Sequence, residues 1–307
     1  MNEEKITAFY TPVLFIIFNR PDTTRQVFEA IRKIKPIKLY IAADGPRLNK
    51  YGEVELCEET RKITENIDWS CEVFRKYSDK NLGCKIAPSS AIDWLFKNEE
   101  EGIILEDDCL PSSSFFVFTS EMLDRYRNNR EIMHISGTNF QFGKIIGDAS
   151  YYFSRIPQSW GWATWRRAWK TFDVNMTDLE EYSSSKDMYT LFKNKKVVTF
   201  FINLFRHIKY KNIDAWDAQW VYSFLKNKGI AITPNINLVE NIGFGDSATH
   251  TKDTSSLFKQ KHYDMSTILH PLEIKINEEA DEFVFFKLFY RSFFDKVRDR
   301  IKLYLKI

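Results

Sequence analysis

The first third of the chain alternates between short, unbroken apolar runs and stretches with a single apolar face. Residues 13–18 (VLFIIF) form one such run, which stops at Asn19-Arg20-Pro21-Asp22. Asp22 or Thr23 can cap the helix that follows, which carries Val27, Ala30 and Ile31 on one side. A second run over 39–43 ends in Asp44-Gly45. A helical stretch over 53–67, a strand over 71–77 and a helix over 86–96 come next. Residues 103–105 then read as a buried strand that halts at Glu106-Asp107-Asp108. Runs that are apolar on both sides need cover on both faces. The pattern therefore predicts an α/β fold, with a mostly parallel sheet between two layers of helices.

The second half is less regular and richer in Trp. Helices are predicted over 165–172, around 179–210 and over 216–228, with Gly229 as a stop before a short strand over 230–233. The tail, 283–307, reads as a helix with seven Lys/Arg against Asp295 and Asp299, interleaved with aromatic and aliphatic residues. That composition suits a helix lying on anionic lipid, and equally one that docks its aromatic face on the body.

In open α/β sheets the ligand sits beyond the carboxyl ends of the strands. Asn19-Arg20, Asp44-Gly45 and Glu106-Asp107-Asp108 each follow such an end, so three scattered polar clusters are expected on one rim.

Composition narrows the function. The chain has 307 residues, 44% hydrophobic and 28% charged, which is ordinary for a globular protein. A net charge of +2 argues against a nucleic-acid binder, which would need a basic face. Four cysteines, none in a CxxC pair, fit neither a disulfide framework nor structural zinc. The start MNEEKITAFY lacks the pattern of a signal peptide, and no stretch approaches the roughly 20 apolar residues of a membrane span. The expected setting is the cytoplasm, with peripheral attachment to the inner membrane face if the tail binds lipid.

Glu106-Asp107-Asp108 is the sharpest chemical signal. Along an extended chain Glu106 and Asp108 would point one way and Asp107 the other. Three adjacent carboxylates repel one another unless a cation or donors compensate, and a hard divalent ion shared with substrate phosphates would do so. The plain alternative is a solvated acidic turn opening a helix at 112–114. Arg20 and Asp44 can bind a base edge and ribose hydroxyls, or serve as ion-pair and turn residues. Lys85 can reach a diphosphate or stay solvated. Asp217, flanked by Trp216 and Trp220, is a candidate general base, although Asp214 competes as base and as a helix N-terminal acid. His250 is a candidate extra metal ligand. In the cluster Ser159 to Trp165, Gly161-Trp162 can border a sugar ring or belong to the core.

Taken in order, Phe18-Asn19-Arg20, Asp44-Gly45, Ile104 to Asp108, Gly161-Trp162 and Trp216-Asp217 with Trp220 resemble GT-A-fold glycosyltransferases. The likeness is to bacterial nucleotide-diphospho-sugar transferases of surface-polysaccharide type and, more distantly, to the N-acetylglucosaminyltransferase I family. It spans about residues 13 to 250. The resemblance implies a Rossmann-like GT-A sheet, with a nucleotide-sugar-binding half over 1–130 and a Trp-rich acceptor half over 131–270. A basic C-terminal helix over 271–307 would follow. It further implies that Arg20 and Asp44 hold the base, most naturally uracil. Glu106 and Asp107 would contact ribose or metal waters, and Asp108 would ligate Mn²⁺ or Mg²⁺. Trp162 would border the sugar, His250 would be a third metal ligand, and Asp217 would be the base of an inverting transfer from a nucleotide-sugar donor to a glycan or lipid-linked acceptor. The rival classes are a sugar nucleotidyltransferase and an inactive carbohydrate-binding scaffold at the membrane surface. The first would need a Gly-rich phosphate loop where this chain has Phe18-Asn19-Arg20-Pro21.

Overall fold

The computed structural model describes residues 8–244 and 258–290. The predicted alternation appears as β1 (Val13–Ile17), α1 (Pro21–Ile34), β2 (Lys38–Ala43), α2 (Glu53–Ile63), β3 (Glu72–Tyr77), α3 (Gly83–Asn98) and β4 (Glu101–Glu106). Next come β5 (Cys109–Pro111), α4 (Ser113–Tyr126), β6 (Ile132–Ser136), β7 (Tyr151–Ser154), β8 (Trp162–Trp165) and α5 (Arg166–Trp169). The helices α6 (Leu179–Ser184), α7 (Lys186–Thr190), α8 (Lys195–Tyr210) and α9 (Asp217–Lys226) follow. The last elements are β9 (Ile230–Pro234), β10 (Val239–Asn241) and α10 (Glu278–Val284), which runs into a π-helical turn over Phe285–Phe289.

Eight strands form one sheet in the order β3-β2-β1-β4-β8-β6-β9-β7. The pairs β3–β2, β2–β1, β1–β4 and β6–β9 are parallel, while β8 and β7 run against their neighbours. The sheet is thus mostly parallel, as the unbroken apolar runs predicted. Period-two geometry sends Val13, Phe15 and Ile17 to one face, where they pack with Val27 and Ile31 of α1 and Phe115 and Met122 of α4. Leu14, Ile16 and Ile104 face the other side, against Ile92 and Leu95 of α3 and the aromatic residues of α8 and α9.

Several local expectations change. Arg20, not Asp22 or Thr23, occupies the cap position of α1, because Pro21 is at its first turn and tolerates the missing N–H there. The helix expected around 179–210 is three helices, interrupted at Ser185 and over 191–194. α3 starts at Gly83, earlier than its apolar face suggested, since distant carboxylates satisfy its first N–H groups. Most of the tail lies outside the described residues. Its described beginning docks on the body: Phe285 is fully buried against Phe200, and Asp281 accepts hydrogen bonds from Ser154 Oγ and Arg155 N. Among the described residues no helix is long and apolar enough to cross a membrane.

Two features position the site. β8 is antiparallel to β4, with Trp162 opposite Ile104, so the chain enters β8 at the rim where β1, β2 and β4 end. β5 pairs with β10, with Cys109 opposite Asn241, and Ile242 N donates to Asp108 O at 2.8 Å. This pairing lays Gly243 against the acidic turn; a Cβ there would fall 2.2 Å from an Asp108 carboxylate oxygen.

Candidate active site

A cleft of about 480 Å³ opens along this rim. Its wall includes Arg20, Asp44, Glu106, Asp107, Asp108 and Asp217, the residues expected from strand ends and from the Trp-flanked acid. Lys85 and Trp162 are not part of that wall. In α3 the cleft-facing residues are Gly83, Cys84, Ala87 and Pro88, one helical face, and Lys85 lies off it. Trp162 is 1% exposed in β8, stacked on His134 at 4.8 Å and on Trp216 at 5.7 Å. Trp160, two residues earlier, reaches the cleft, as does Trp216. His250 lies outside the described residues.

The acidic turn differs from the extended geometry expected of it. β4 ends at Glu106, and the chain turns at Asp107 and Asp108. The turn brings both aspartates to the same guanidinium: Arg20 Nη1 lies 2.7 Å from Asp108 Oδ2 and 3.5 Å from Asp107 Oδ1. Arg20, expected to hold a base, is thus engaged with acids. Asp107 also accepts from Phe18 N at 3.1 Å, which ties the end of β1 to the end of β4. Burial pushes the Asp107 carboxyl up, against the pull of Arg20. Burial, and then Asp108, Asp107 and Asp217, push Glu106 up to about 8. Among the described residues, only the Cys109 thiol, at 3.6 Å, approaches the second oxygen of Asp108.

The acids on the α3 side are otherwise employed. Asp44 accepts from the backbone N of Gly45, Leu82 and Gly83 and from Asn81 Nδ2, all within 3.1 Å. Burial raises its pKa, and the backbone donors oppose the rise. Its carboxylate builds the loop before α3 at the wall of the cleft. Asp214 accepts from Cys84 N at 2.9 Å and Lys85 N at 2.7 Å, so it caps α3 and not α9. α9 begins at Asp217, which is exposed at the cleft and accepts from Ala218 N of its own helix.

Beneath α9 lies the Trp core. Trp220 Nε1 donates to His134 Nδ1 at 3.1 Å, and His134 Nε2 contacts Gln158 O at 3.0 Å. Burial drives the His134 pKa down to about 3, so the ring stays neutral and acts as a spacer between β6 and α9. It is structural.

Sequence reasoning missed Arg47, Glu53, Asn81 and Trp160. Glu53 is buried, accepts a forked bond from Arg47 and a bond from Asn19 Nδ2, and so fixes two loops at the mouth of the cleft. Arg47 extends over the Phe18 ring, 5.5 Å from its centre. The sequence held only the spacing of the pair, a glutamate six residues after an arginine; the burial that gives it meaning is visible in the fold alone.

Fold and cleft together define an open α/β protein with a ligand-sized cavity at the carboxyl rim of its sheet, within the roughly 300–1,000 Å³ range of small-molecule sites. No family model matches the chain, and no curated protein matches it in sequence. Solved structures with some likeness include a UTP-bound UGPase from Acinetobacter baumannii, at 7% identity and TM-score 0.35, covering 78% of this chain and 90% of that one. Another is apo mouse xyloside xylosyltransferase 1, at 10% identity and TM-score 0.31, covering 70% and 80%. A third is a UDP-glucose pyrophosphorylase complexed with UDP-glucose, at 10% identity and TM-score 0.34, covering 75% and 93%. Scores this low carry no argument about activity.

Proposed function

We propose that this protein is a nucleotide-sugar enzyme, and specifically a glycosyltransferase that moves a sugar from a nucleoside-diphosphate donor, UDP-linked by preference, to a hydroxyl of a glycan or lipid-linked acceptor. One observation carries the reading. Acids and guanidinium groups drawn from residues 20 to 217 line a single cleft at the strand ends, with Asp217 at its entrance.

The charge inventory supports a cation as co-ligand. Six carboxyl groups line the cleft (Asp44, Glu106, Asp107, Asp108, Asp214, Asp217) against two guanidinium groups, Arg20 and Arg47, among the described residues. A diphosphate entering there needs further positive charge. No three ligating side chains among the described residues converge on one point. An ion there would be held through Asp108 and completed by phosphate oxygens and water, as Mg²⁺ and Mn²⁺ are commonly held. When bound, Mn²⁺ or Mg²⁺ would offset charge on the leaving diphosphate.

The chain's own residues divide the remaining work. Arg47 over Phe18, with Asn81 nearby on the wall, forms the nucleotide end of the cleft. Arg20 is within reach of the leaving group. Asp217 accepts the proton of the attacking hydroxyl, and single displacement inverts the anomeric centre.

A nucleotidyltransferase is the weaker reading. The β1–α1 loop has no glycine, and Pro21 removes an N–H from the helix start that would otherwise face a triphosphate. Melting the protein with UDP-, dTDP- and GDP-sugars, with and without Mn²⁺, tests the proposal, because ligand at about 100 times its Kd stabilises by roughly 2.7 kcal/mol. UDP-sugar with Mn²⁺ should give the largest shift. Pyrophosphate release from UTP and a sugar phosphate would instead establish the nucleotidyltransferase, and no shift with any nucleotide would remove both.

A further inference from the structure

A second surface, outside the wall of the cleft, sets exposed apolar side chains among lysines. It is built from the loop after Phe140 and from the start of the C-terminal segment. In the loop, Phe142 has φ +53°, a left-handed conformation that bulky residues rarely adopt, and Gly143 and Gly147 have φ +88° and +70°. A Cβ on either glycine would meet nothing within 4 Å, so the loop stands clear of the body. Its base is fixed all the same: Ile146 N donates to Asn235 Oδ1, and Asn235 Nδ2 donates to Ile146 O, both at 2.9 Å. The tip presents Ile145, 61% exposed, beside the exposed Lys144.

A reciprocal pair of cation–π contacts joins this loop to the C-terminal segment. Lys144 Nζ lies 3.8 Å from the centre of the Phe283 ring, and Lys287 Nζ lies 5.6 Å from that of Phe142. From α8, Lys196 Nζ reaches the Tyr290 ring at 5.2 Å. Phe285 turns inward and is fully buried, whereas Phe286 is 36% exposed and Tyr290 39%. The acids nearby are Glu278, Glu279 and Glu282 of α10, and Lys193 pairs with Glu278 at 2.8 Å. After Glu282 the chain has no acid before Asp295, and the 17 residues beyond Tyr290 carry six Lys/Arg against two Asp.

We propose that this face docks on an anionic lipid bilayer, with Ile145, Phe286 and Tyr290 entering the headgroup boundary and Lys144, Lys196 and Lys287 meeting lipid phosphates. Apolar tips gain by leaving water for that boundary, and each lysine near an anionic headgroup layer adds attraction. The left-handed Phe142 is the kind of backbone strain that accompanies functional loops, and here it projects the tip. The proposal stands apart from the transferase reading. Phe142 meets Phe140 at 6.4 Å, and Phe140 meets Trp160 of the cleft wall at 5.6 Å, so docking on this face brings the cleft to the lipid surface.

Co-sedimentation of the full chain with phosphatidylcholine vesicles, alone or mixed with phosphatidylglycerol, tests this at low and high salt. The mixed vesicles should bind about tenfold more tightly, and high salt should remove most of that difference. Ile145→Asp, and Lys144→Glu combined with Lys287→Glu, should each weaken binding to the mixed vesicles about tenfold. Melting curves with UDP-sugars on the same proteins should be unchanged, which separates this outcome from the fate of the transferase reading. Absent binding, or equal binding to both vesicles, would overturn the proposal. So would Ile145→Asp and Phe286→Asp proteins that bind like the parent, because residues 291–307 alone would then hold the bilayer. A dimer that Ile145→Asp splits in the ultracentrifuge, without vesicle binding, would make a second copy of the chain the occupant and reject the bilayer.

Discussion

Two sets of carboxylates face the same cleft under opposite conditions. On the α3 side, Asp44 and Asp214 between them accept from five backbone N–H groups and the Asn81 amide, and each closes a loop onto the start of α3. On the β4 side, Glu106, Asp107 and Asp108 crowd together with Asp217 nearby, and the donors that answer them are chiefly Arg20 and Phe18 N. Acids of the first kind bond backbone N–H groups and hold structure. Those of the second kind repel one another, which adds to burial in raising Glu106, and a ligand can relieve that repulsion. Residue type alone does not separate the two kinds; the supply of donors does.

This contrast can be broken most decisively at the entrance acid. Asp217→Asn should reduce sugar transfer by about 10²–10⁴-fold, the usual contribution of a general base, while its melting temperature stays near that of the parent. Asp108→Ala should lower transfer at least as far and abolish the response of the melting temperature to Mn²⁺. Product assays beside thermal melts decide both, and near-normal transfer in either variant would erase the functional half of the comparison.

Asp214→Ala probes the α3 side. Removing an acceptor from two helix-initiating N–H groups costs about 0.5–2 kcal/mol, so the protein should melt a few degrees lower. A melting temperature equal to that of the parent would mean that the cap is not structural.

The smallest effect is the dependence on pH. Glu106 rises from its ordinary 4.5 to about 8 on folding. A pKa raised in the folded state contributes stability that is present below about pH 4.5 and is lost as pH climbs through about 8. The parent should therefore lose stability between pH 5 and pH 9 on this account, and Glu106→Gln should flatten that slope. At the alkaline end the variant should melt about 2–4 °C higher, the shift that roughly 1 kcal/mol makes in a domain of this general size. Parallel slopes for the two proteins would show that Glu106 is not strained by its neighbours.

The sheet was legible where its strands are buried on both faces. Runs 13–18, 39–43 and 103–105 announced β1, β2 and β4, and their polar ends announced the rim. β8 was not legible, because its four residues Trp162–Trp165 are wide aromatics around an Ala-Thr pair with no alternation, and their pairing with β4 and β6 is non-local. The same non-locality hid the roles of Asp44 and Asp214, whose donors other than Gly45 N lie 37 to 130 residues away. Trp160 and Trp162 exchanged roles for a simple reason. Both sit beside Gly161, but only entry into β8 determines which of them the strand pulls into the core.

The β5–β10 ladder has a practical outcome for anyone building hybrids from this chain. Residues 109–111 and 239–241 are far apart in the gene yet form one splint behind Asp108, locked further by Ile242 against the Asp108 carbonyl. A crossover placed between them, in any recombined or shuffled protein, would mate two halves of a splint from different parents and tilt the aspartate it supports. Exchanges that carry both segments together should inherit the corner intact.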